Sequence, residues 1–480
     1  MATAYKTPGV YVEEISVFPP SVAQVETAIP AFIGYTEMAI KNGEDLTDKP
    51  TRITSLLEYQ TYFGGAESEV NISITVADKV NSAAPTTVLS RKSTITMGAT
   101  SPFLMYYAMR MYFDNGGGPC YIVSVGDYTG GSVSKPDLTD GLNQVEKFDE
   151  PTLFVFPDAV SLSGGTAAAN YYTLMNEALQ QAQKLGDRFV IMDSFNDDAS
   201  NVRAASTLGN GVDLLKYGAA YHPFLKTVYP YVYQAGDVSL THTVTDEGDT
   251  VTDGDLNGET LDVLADNADP NFDLILYNDL KQLIADQTIT LPPSPAMAGI
   301  YCRVDENRGV WKAPANESLS AALSVSKLVT HEEQKDLNIH TTGKSINAIR
   351  PFTGKGIIVW GARTLAGNDN EWKYISVRRF FNMVEESVKK ATEQFVFEGN
   401  DANTWVKVRA MIENFLTLQW RAGALAGAKP EQAFFVRVGL GQTMTADDIL
   451  NGIMNVEIGM AVVRPAEFII LKFSHKMQES

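Results

Sequence analysis

Short apolar runs alternate with helical segments between residues 31 and 225, and this alternation limits the possible folds more than any other feature of the chain. Each run is apolar throughout, which is typical of a strand buried on both faces of a sheet. Strands that alternate with helices favour an α/β layer with a largely parallel sheet. The predicted strands span residues 31–33, 120–123, 153–156, 189–192 and 217–221.

Two helices are predicted within this layer from the residues at their ends. The first follows Ser101, has Pro102 in its first turn and runs to Asp114, where three glycines end it. Proline is favoured at the first position of a helix, and glycine just after its end. The second helix spans residues 170–185 and ends at Gly186.

Two stretches rich in serine, threonine and valine, near residues 66–99 and 236–262, interrupt the alternation. We predict that both are β-rich insertions on the outer surface, because surface loops tolerate such growth. The predicted fold class is therefore α/β (α+β overall), with a central α/β layer, β-rich peripheral insertions and an α+β C-terminal domain.

The C-terminal part carries two amphipathic helices, predicted over residues 376–396 and 403–422. Apolar residues recur in both at spacings of three and four, which places them on one face. Strand-like runs follow at residues 434–438 and 468–473. The buried residues predicted for the two helices are Val377, Phe380, Phe381, Val384, Val388 and Phe395, and then Trp405, Val408, Ile412, Phe415 and Leu416.

The composition is that of a soluble globular chain. Hydrophobic residues make up 44% and charged residues 20% of its 480 residues, which argues against bulk disorder. No apolar run approaches the ~20 residues that a membrane-spanning helix needs, and the first residues lack the pattern of a secretion signal. We therefore expect a protein that is made and assembled in the cytoplasm and does not insert into a membrane.

The net charge of −20 argues against nucleic acid as a partner, because phosphate binding depends on lysine and arginine. The acidity either keeps an abundant protein soluble or complements basic patches on a partner or on sister subunits, and composition leaves both readings open. Cys120 and Cys302 each lie in an apolar, strand-like run. We predict buried free thiols, since chains in the cytosol rarely use disulfides.

Partial motifs for nucleotide and metal binding are present but incomplete. Gly343-Lys344-Ser345 resembles the end of a phosphate-binding loop, but the glycine needed five residues earlier is absent and Pro351 forbids the long helix that should follow. Asp253, Asp255 and Asn257 match the first half of a calcium-binding loop that lacks its final glutamate. We therefore predict no cofactor and no metal site.

Asp193 and Ser194 directly follow a predicted buried strand, which is where α/β enzymes often keep catalytic groups. No partner residue stands at a catalytic spacing from them, and no Gly-x-Ser-x-Gly motif occurs. We favour a capping role for these residues at the strand end, and we predict that the chain is not an enzyme.

The region from residue 295 to 440 closely resembles the contractile tail sheath proteins of phage tails and phage-tail-like injection systems. The resemblance is carried by GKSINAIRPFTGKGIIVWGARTLAGNDNEWKYISVRRFF and the helical text after it, and by AMAGIYCRVDENRGVWKAPANE before it. Shorter matches occur in the same order at TPGVYVEEI near the N-terminus, at NGGGPCYIVSV and at Tyr221-His222-Pro223. The Ser/Thr-rich insertions do not contribute to the resemblance, and sheath proteins generally vary most in such peripheral insertions.

This resemblance implies a structural protein without a catalytic site. Family members form stacked hexameric rings around an inner tube, and their terminal arms add strands to the sheets of neighbouring subunits. The resemblance implies that two apolar arms are donated in this way, and their residues are Val10, Tyr11, Val12, Glu13 and Glu14, and Phe468, Ile469, Ile470, Leu471 and Phe473.

The expected organisation has four parts. Residues 1–20 form an N-terminal arm, 21–340 the α/β domain with its insertions, 341–465 an inner assembly domain and 466–480 a C-terminal arm. The expected partners are the chain itself as a helical polymer, an inner tube protein, and baseplate and terminal cap proteins. The candidate residues for the tube contact are Lys407, Arg409, Glu413, Asn414 and Arg421, on the polar side of the second C-terminal helix. An ordinary solvent-facing side of the helix explains the same pattern equally well.

Two other functions remain open at this stage. A static shell or scaffold protein could exchange strands in the same way. An α/β hydrolase-type enzyme would need a convergent polar site, and none is visible in the sequence.

Overall fold

An eight-stranded sheet is the largest sheet of the computed structural model, which describes residues 21–81, 87–204, 208–209 and 211–472. Six inner strands run parallel, and one antiparallel strand lies at each edge. The predicted largely parallel sheet is confirmed. In spatial order its strands are β17 (Gly356–Val359), β16 (Ile346–Phe352), β10 (Gly218–His222), β9 (Phe189–Asp193), β8 (Leu153–Val155), β1 (Pro30–Gly34), β7 (Cys120–Ser124) and β4 (Thr51–Ile53).

The chain divides into two compact units. The larger consists of Glu26–Met383 and Arg464–Ser480, and the smaller of Met1–Val25 and Val384–Val463. Residues 341–383 therefore lie in the larger unit, where β16 and β17 extend the central sheet. The four-part organisation predicted from the sequence concerns assembly and stays a prediction.

Helices cover both faces of the central sheet. Because successive residues of a strand point to opposite faces, Ile33 packs with the core beneath α3 and α4, and Phe32 with the core beneath α1, α2 and α8. The helices of this unit are α1 (Leu56–Phe63), α2 (Met105–Asp114), α3 (Lys135–Val145), α4 (Ala167–Leu185), α5 (Ala199–Arg203), α6 (Val212–Leu215), α7 (Leu274–Ala285), α8 (Ser294–Arg308), α9 (His331–Asn338) and the first half of α10 (Ile375–Thr392).

Helix α8 shows that the strand predicted around Cys302 is wrong. Every residue from Ser294 to Cys302 is buried, so this part of the helix has no solvent-facing side and no amphipathic stripe. Proline residues at its start, Pro293 and Pro295, are the signal that marks a helical first turn. Both cysteines are buried free thiols, as predicted.

The two β-rich insertions form one sheet. Strand β12 (Val238–Thr245) pairs in parallel with β5 (Ile72–Val80), while β6 (Val88–Met97) and β13 (Val251–Asp253) lie at the edges. Ile72, Ile74 and Val76 of one insertion share a core with Val238 and Leu240 of the other, beneath α7. We call the four strands, α7 and the residues between β12 and α7 the peripheral lobe. Its β-rich character was predicted; the pairing of the two insertions was not.

Two smaller sheets complete the larger unit. One has three strands in the order β14 (Thr288–Leu291), β11 (Leu225–Pro230) and β15 (Ala322–Val325), and the other joins β2 (Ile40–Lys41) to β3 (Glu44–Asp45). None of the helices within the described ranges is both long enough and apolar enough to cross a membrane.

The smaller unit contains the second half of α10 and a two-stranded sheet. The amphipathic patterns are confirmed: Val384 and Val388 of α10 are buried, as are Val408 and Phe415 of α11. Phe381, Phe395 and Trp405 of the predicted set are only half-buried. The remaining elements are α11 (Ala402–Arg421), α12 (Pro430–Ala433), β18 (Phe434–Val438), α13 (Ala446–Leu450) and β19 (Val456–Met460), of which β18 was predicted and β19 was not.

Candidate assembly interface

A carboxylate fixes the C-terminal end of the described chain to the larger unit. Glu467 accepts hydrogen bonds from Arg363 Nε (2.9 Å, at Oε1) and Arg363 Nη2 (2.6 Å, at Oε2), the two-pronged geometry in which a guanidinium binds a carboxylate most strongly. Asn338 Nδ2 donates to Oε1 at 2.7 Å, and the Tyr374 hydroxyl donates to Oε2 at 3.1 Å. We call these four residues the Glu467 clasp.

The clasp is an ion pair largely shielded from water, since the Arg363 side chain is only 5% exposed. Burial by itself raises the pKa of Glu467, but hydrogen bonds from Arg363 and Asn338 and the charge of Arg363 outweigh it, so the pKa lies below its ordinary value of 4.5. Glu467 is therefore ionised at neutral pH, and the buried guanidinium has a charged partner.

The residues that follow the clasp are exposed and apolar. Phe468, Ile469, Ile470 and Leu471 are between 67% and 80% exposed, and residues 468–472 form no strand within the described chain. Four consecutive large apolar side chains in water are unusual and typical of a contact site. We call Phe468–Leu471 the apolar segment; its donation to a neighbour stays a prediction, and Phe473 lies outside the described residues.

The predicted N-terminal arm, Val10 to Glu14, lies outside the described residues. The chain can be followed from residue 21, where it lies against helices of the smaller unit. Val25 N donates to Ser387 Oγ at 3.1 Å, and Gln419 Nε2 donates to Gln24 Oε1 at 3.0 Å. The chain leading out of the predicted arm is therefore held by α10 and α11.

A second buried ion pair holds the N-terminal chain where it joins the larger unit. Arg379 donates to both carboxylate oxygens of Asp305, at 3.0 and 2.5 Å, and to Thr27 O at 2.9 Å. The Thr27 hydroxyl donates to Asp305 Oδ2 at 2.6 Å. Arg379 and Asp305 are both almost fully buried, so the backbone at Thr27 is bound to the interior of this unit.

The sheet of the smaller unit has two strands within the described residues. Strands β18 and β19 pair antiparallel from Phe434↔Met460 to Val438↔Val456. A two-stranded sheet is marginal by itself, and the outer edge of β18 carries backbone groups that a further strand could bind. Helix α11 packs on β18, which supports the sheet on one face.

The residues predicted to face an inner tube lie on the solvent side of α11. Lys407, Arg409, Asn414 and Arg421 are exposed, and Glu413 is partly exposed. Arg409 Nε donates to Glu413 Oε1 at 2.7 Å in a surface ion pair. The sequence pattern missed two exposed apolar residues on the same side, Val406 and Leu418. Their role as a tube contact stays a prediction.

Asp193 binds the start of helix α8, whereas the predicted role was capping at the end of its own strand. Its carboxylate accepts hydrogen bonds from Ser294 N (2.8 Å) and Ser294 Oγ (2.5 Å) at the start of α8. Ser194 Oγ lies 2.8 Å from His222 Nδ1, and Asp197 Oδ1 lies 3.2 Å from the same nitrogen. A hydrolytic triad needs the serine and the carboxylate on opposite ring nitrogens, so these three residues do not have that geometry.

The partial nucleotide motif is folded into the interior. Lys344 is buried, and its Nζ donates to Leu208 O at 2.8 Å. Ser345 Oγ donates to Asn338 O at 2.5 Å, and a strand follows rather than a helix. Both side chains are thus buried and bound to backbone carbonyl oxygens.

The partial calcium motif lies in the peripheral lobe. Asp253 and Asp255 point to solvent, while Asn257 Oδ1 accepts a hydrogen bond from His242 N at 3.4 Å. Two of the three oxygen ligands of the motif are thus solvated, and the third is used to hold the loop against β12.

Residues 367–476 match the family model described as the phage tail sheath C-terminal domain. The chain is similar over its length to the anti-feeding prophage helical sheath in its contracted state, at 32% identity, covering 98% of this chain and 100% of that chain with a TM-score of 0.64. It is also similar to the PVC sheath of an extracellular contractile injection system in its contracted state, at 29% identity, 99% of each chain and a TM-score of 0.61.

Curated relatives match a shorter region. The tail sheath protein of Enterobacteria phage T4 is 27% identical over 142 residues, which are 29% of this chain and 20% of that protein. The chain thus matches about a fifth of the length of that relative, and the full length of the anti-feeding prophage sheath chain. Fold, family model and full-length similarity agree, and the chain belongs to the contractile tail sheath family as a structural sheath protein.

Proposed function

We propose that this chain is the subunit of a contractile sheath that polymerises as stacked hexameric rings around an inner tube. Contraction of the sheath drives the tube through a target membrane. The particle is a phage tail or a phage-tail-like apparatus, and its sheath is assembled in the cytoplasm.

The observation that carries this proposal is the apolar segment beside the Glu467 clasp. A chain that fixes Glu467 and then exposes Phe468–Leu471 has a segment ready to enter another sheet. Each copy also carries the β18–β19 sheet, whose outer edge could accept a strand. Each copy therefore carries both a segment that can be donated and a sheet edge that can accept one. This combination supports head-to-tail polymerisation.

Contraction in this proposal is a change between two lattices of the same subunits. The extended sheath is metastable, and a trigger at the baseplate lets subunits rotate outward and repack with better contacts. A gain of only a few kcal/mol per subunit is enough when it is summed over many subunits. The terminal arms keep neighbours linked while the lattice shears.

The proposed partners other than the chain itself are an inner tube protein, baseplate proteins and a terminal cap. The solvent side of α11, with Lys407, Arg409, Glu413, Asn414 and Arg421, is the proposed tube contact. One related chain was determined in a baseplate of the anti-feeding prophage, which supports the baseplate as a partner here.

Electron microscopy of the expressed, purified chain tests the proposed function. We expect hollow tubes with six-fold rings, either of two diameters or of a single wide diameter when the sheath contracts without its tube. Addition of the cognate inner tube protein should yield narrower, filled tubes.

Two outcomes would contradict the proposal. A chain that stays monomeric at all concentrations is not a sheath subunit. Tubes whose diameter never changes, with or without the tube protein, would instead support a static shell that uses the same exchanged strands.

A further inference from the structure

The Glu467 clasp is connected directly to the central sheet. Arg363 N donates to Asn347 Oδ1 at 2.8 Å, and Asn347 Nδ2 donates to Arg363 O at 2.8 Å. The same amide donates to Ala220 O at 3.2 Å. Because Asn347 belongs to β16 and Ala220 to β10, the arginine that binds Glu467 is held by two adjacent strands of the sheet.

All three nitrogens of the Arg363 guanidinium donate hydrogen bonds. Its Nη1 donates to Gly367 O at 2.9 Å, and Nε and Nη2 bind the two carboxylate oxygens of Glu467. A buried charge whose partner is removed is strongly disfavoured, so Arg363 resists release of Glu467. The clasp is therefore a stiff attachment rather than a passing surface contact.

The change from bound to free chain occurs within one residue. Glu467 makes four hydrogen bonds, and Phe468 next to it is 67% exposed. The described residues that follow, 468–472, would span roughly 16 Å at ~3.3 Å per extended residue, which is about the length of an ordinary strand.

We propose that the Arg363–Glu467 pair is the fixed origin of the C-terminal arm. It sets the point and direction in which the apolar segment leaves the central sheet, and a second copy of this chain takes that segment up. Glu467 and Arg363 are positioning residues in this role, and the inference rests on the proposed function. A force that the neighbouring subunit exerts on the arm is then transmitted through Glu467 and Arg363 to strands β16 and β10. The arm and the central sheet therefore move together.

Glu467→Gln tests the proposal, because it keeps the size of the side chain and removes its charge. We expect the yield of sedimentable tubes to fall at least tenfold at equal subunit concentration. Hydrogen exchange of the backbone amides of residues 466–468 should become at least tenfold faster in the unassembled subunit. Glu371→Gln, which removes the same charge from an exposed glutamate, is the matched control and should change neither.

An insertion tests whether the clasp directs the arm, separately from any effect of the clasp on the stability of the subunit. Gly-Ser-Gly-Ser placed after Glu467 leaves the clasp intact but uncouples the arm from it. We expect the melting temperature to stay unchanged while tube yield falls as in Glu467→Gln. The same four residues inserted in the exposed turn at Gly248 should leave assembly unchanged.

If Glu467→Gln fails to fold, the double variant Arg363→Met with Glu467→Met avoids a buried unpaired charge and should fold without assembling. Tube yield and exchange equal to wild type in Glu467→Gln would overturn the inference. If wild type itself forms no tubes, the proposed function fails instead. The exchange measurement then still decides whether the clasp holds the chain.

Discussion

Asp158 follows strand β8 and Asp193 ends strand β9, and each accepts a hydrogen bond from a backbone amide at the start of a helix. Asp158 accepts from Leu104 N at 2.6 Å beside α2 and from Tyr35 N at 2.7 Å, and Asp193 accepts from Ser294 N at 2.8 Å. Burial raises the pKa of each carboxyl to about 7, although these hydrogen bonds oppose the rise. At the residue scale, these two carboxyl groups occupy positions where enzymes often keep catalytic residues. In this chain they connect helices to the central sheet.

The raised pKa of Asp193 makes stability depend on pH. Between its ordinary pKa of 3.8 and about 7, the folded chain holds a proton that the unfolded chain has released, so stability falls as pH rises through this window. We expect Asp193→Asn to reduce this fall by about 1 kcal/mol per pH unit between pH 5 and pH 7. Urea unfolding of the unassembled subunit at several pH values measures it.

The exposed Asp253 offers a control for this measurement. Asp253→Asn removes a carboxyl that stands in water, so the pH dependence of the free energy of unfolding should match that of wild type. An unchanged slope in Asp193→Asn would mean that Asp193 is ionised in the folded chain throughout the window.

At the scale of elements, we expect the terminal arms to contribute to assembly but not to the folding of the subunit. The side chains of Ile469 and Ile470 are mostly exposed in the subunit, so charges there cost the folded chain little. We expect Ile469→Lys with Ile470→Lys to leave the melting temperature within about 2 °C of wild type, as for other exposed substitutions, and to abolish tubes. Sedimentation and circular dichroism measure the two effects.

Val251 provides the matched substitution for that variant. It is an exposed apolar residue on β13, in the peripheral lobe, and Val251→Lys should assemble normally. Normal assembly of the Ile469→Lys, Ile470→Lys double variant would remove the apolar segment from the interface.

The N-terminal arm gives a separate test of strand donation. Deletion of residues 1–15 removes the predicted strand but not Gln24, Val25 or Thr27, which hold the chain to the helices. We expect a folded subunit, with an unchanged thermal transition, that forms no tubes in electron micrographs. Unchanged assembly of the shortened chain would contradict donation of this strand.

Features that depend on a pattern of neighbouring residues were predictable from the sequence, and features that depend on contacts between distant residues were not. Helix α11 repeats apolar residues such as Val408, Ile412 and Phe415 on one face, so its existence and its buried side were predictable. Helix α8 is buried on all sides from Ser294 to Cys302, and this part lacks that signal. The Glu467 clasp joins residues about 90 to 130 positions apart, and no pattern along the chain reports such a contact.

At the scale of the whole molecule, the negative charge is concentrated in the peripheral lobe and its borders. Residues 237–286 contain thirteen of the 58 acidic residues and only one of the 38 basic ones. Most of the thirteen are exposed. In a polymer of identical subunits, every copy brings the same acidic surface, and like charges within about 10 Å repel unless salt screens them.

The effect of ionic strength on assembly therefore distinguishes the two interpretations of the net charge, repulsion between acidic surfaces and attraction between acidic and basic patches. If repulsion between lobes dominates, raising the ionic strength from roughly 20 mM to roughly 150 mM should lower the subunit concentration needed for assembly. Light scattering during a dilution series measures this threshold. A threshold that rises with salt would show instead that attraction between acidic and basic patches of sister subunits dominates.

The pairing of β5 with β12 also restricts how sheath subunits can diversify. The lobe uses two segments far apart in the sequence, and each covers the apolar face of the other through pairs such as Ile74 and Leu240. Loss of one segment would leave the other with a water-exposed apolar face, which favours aggregation. Gain, loss or engineered exchange of this surface module should therefore transfer residues 72–97 and 238–285 together, as one inherited unit encoded in two places.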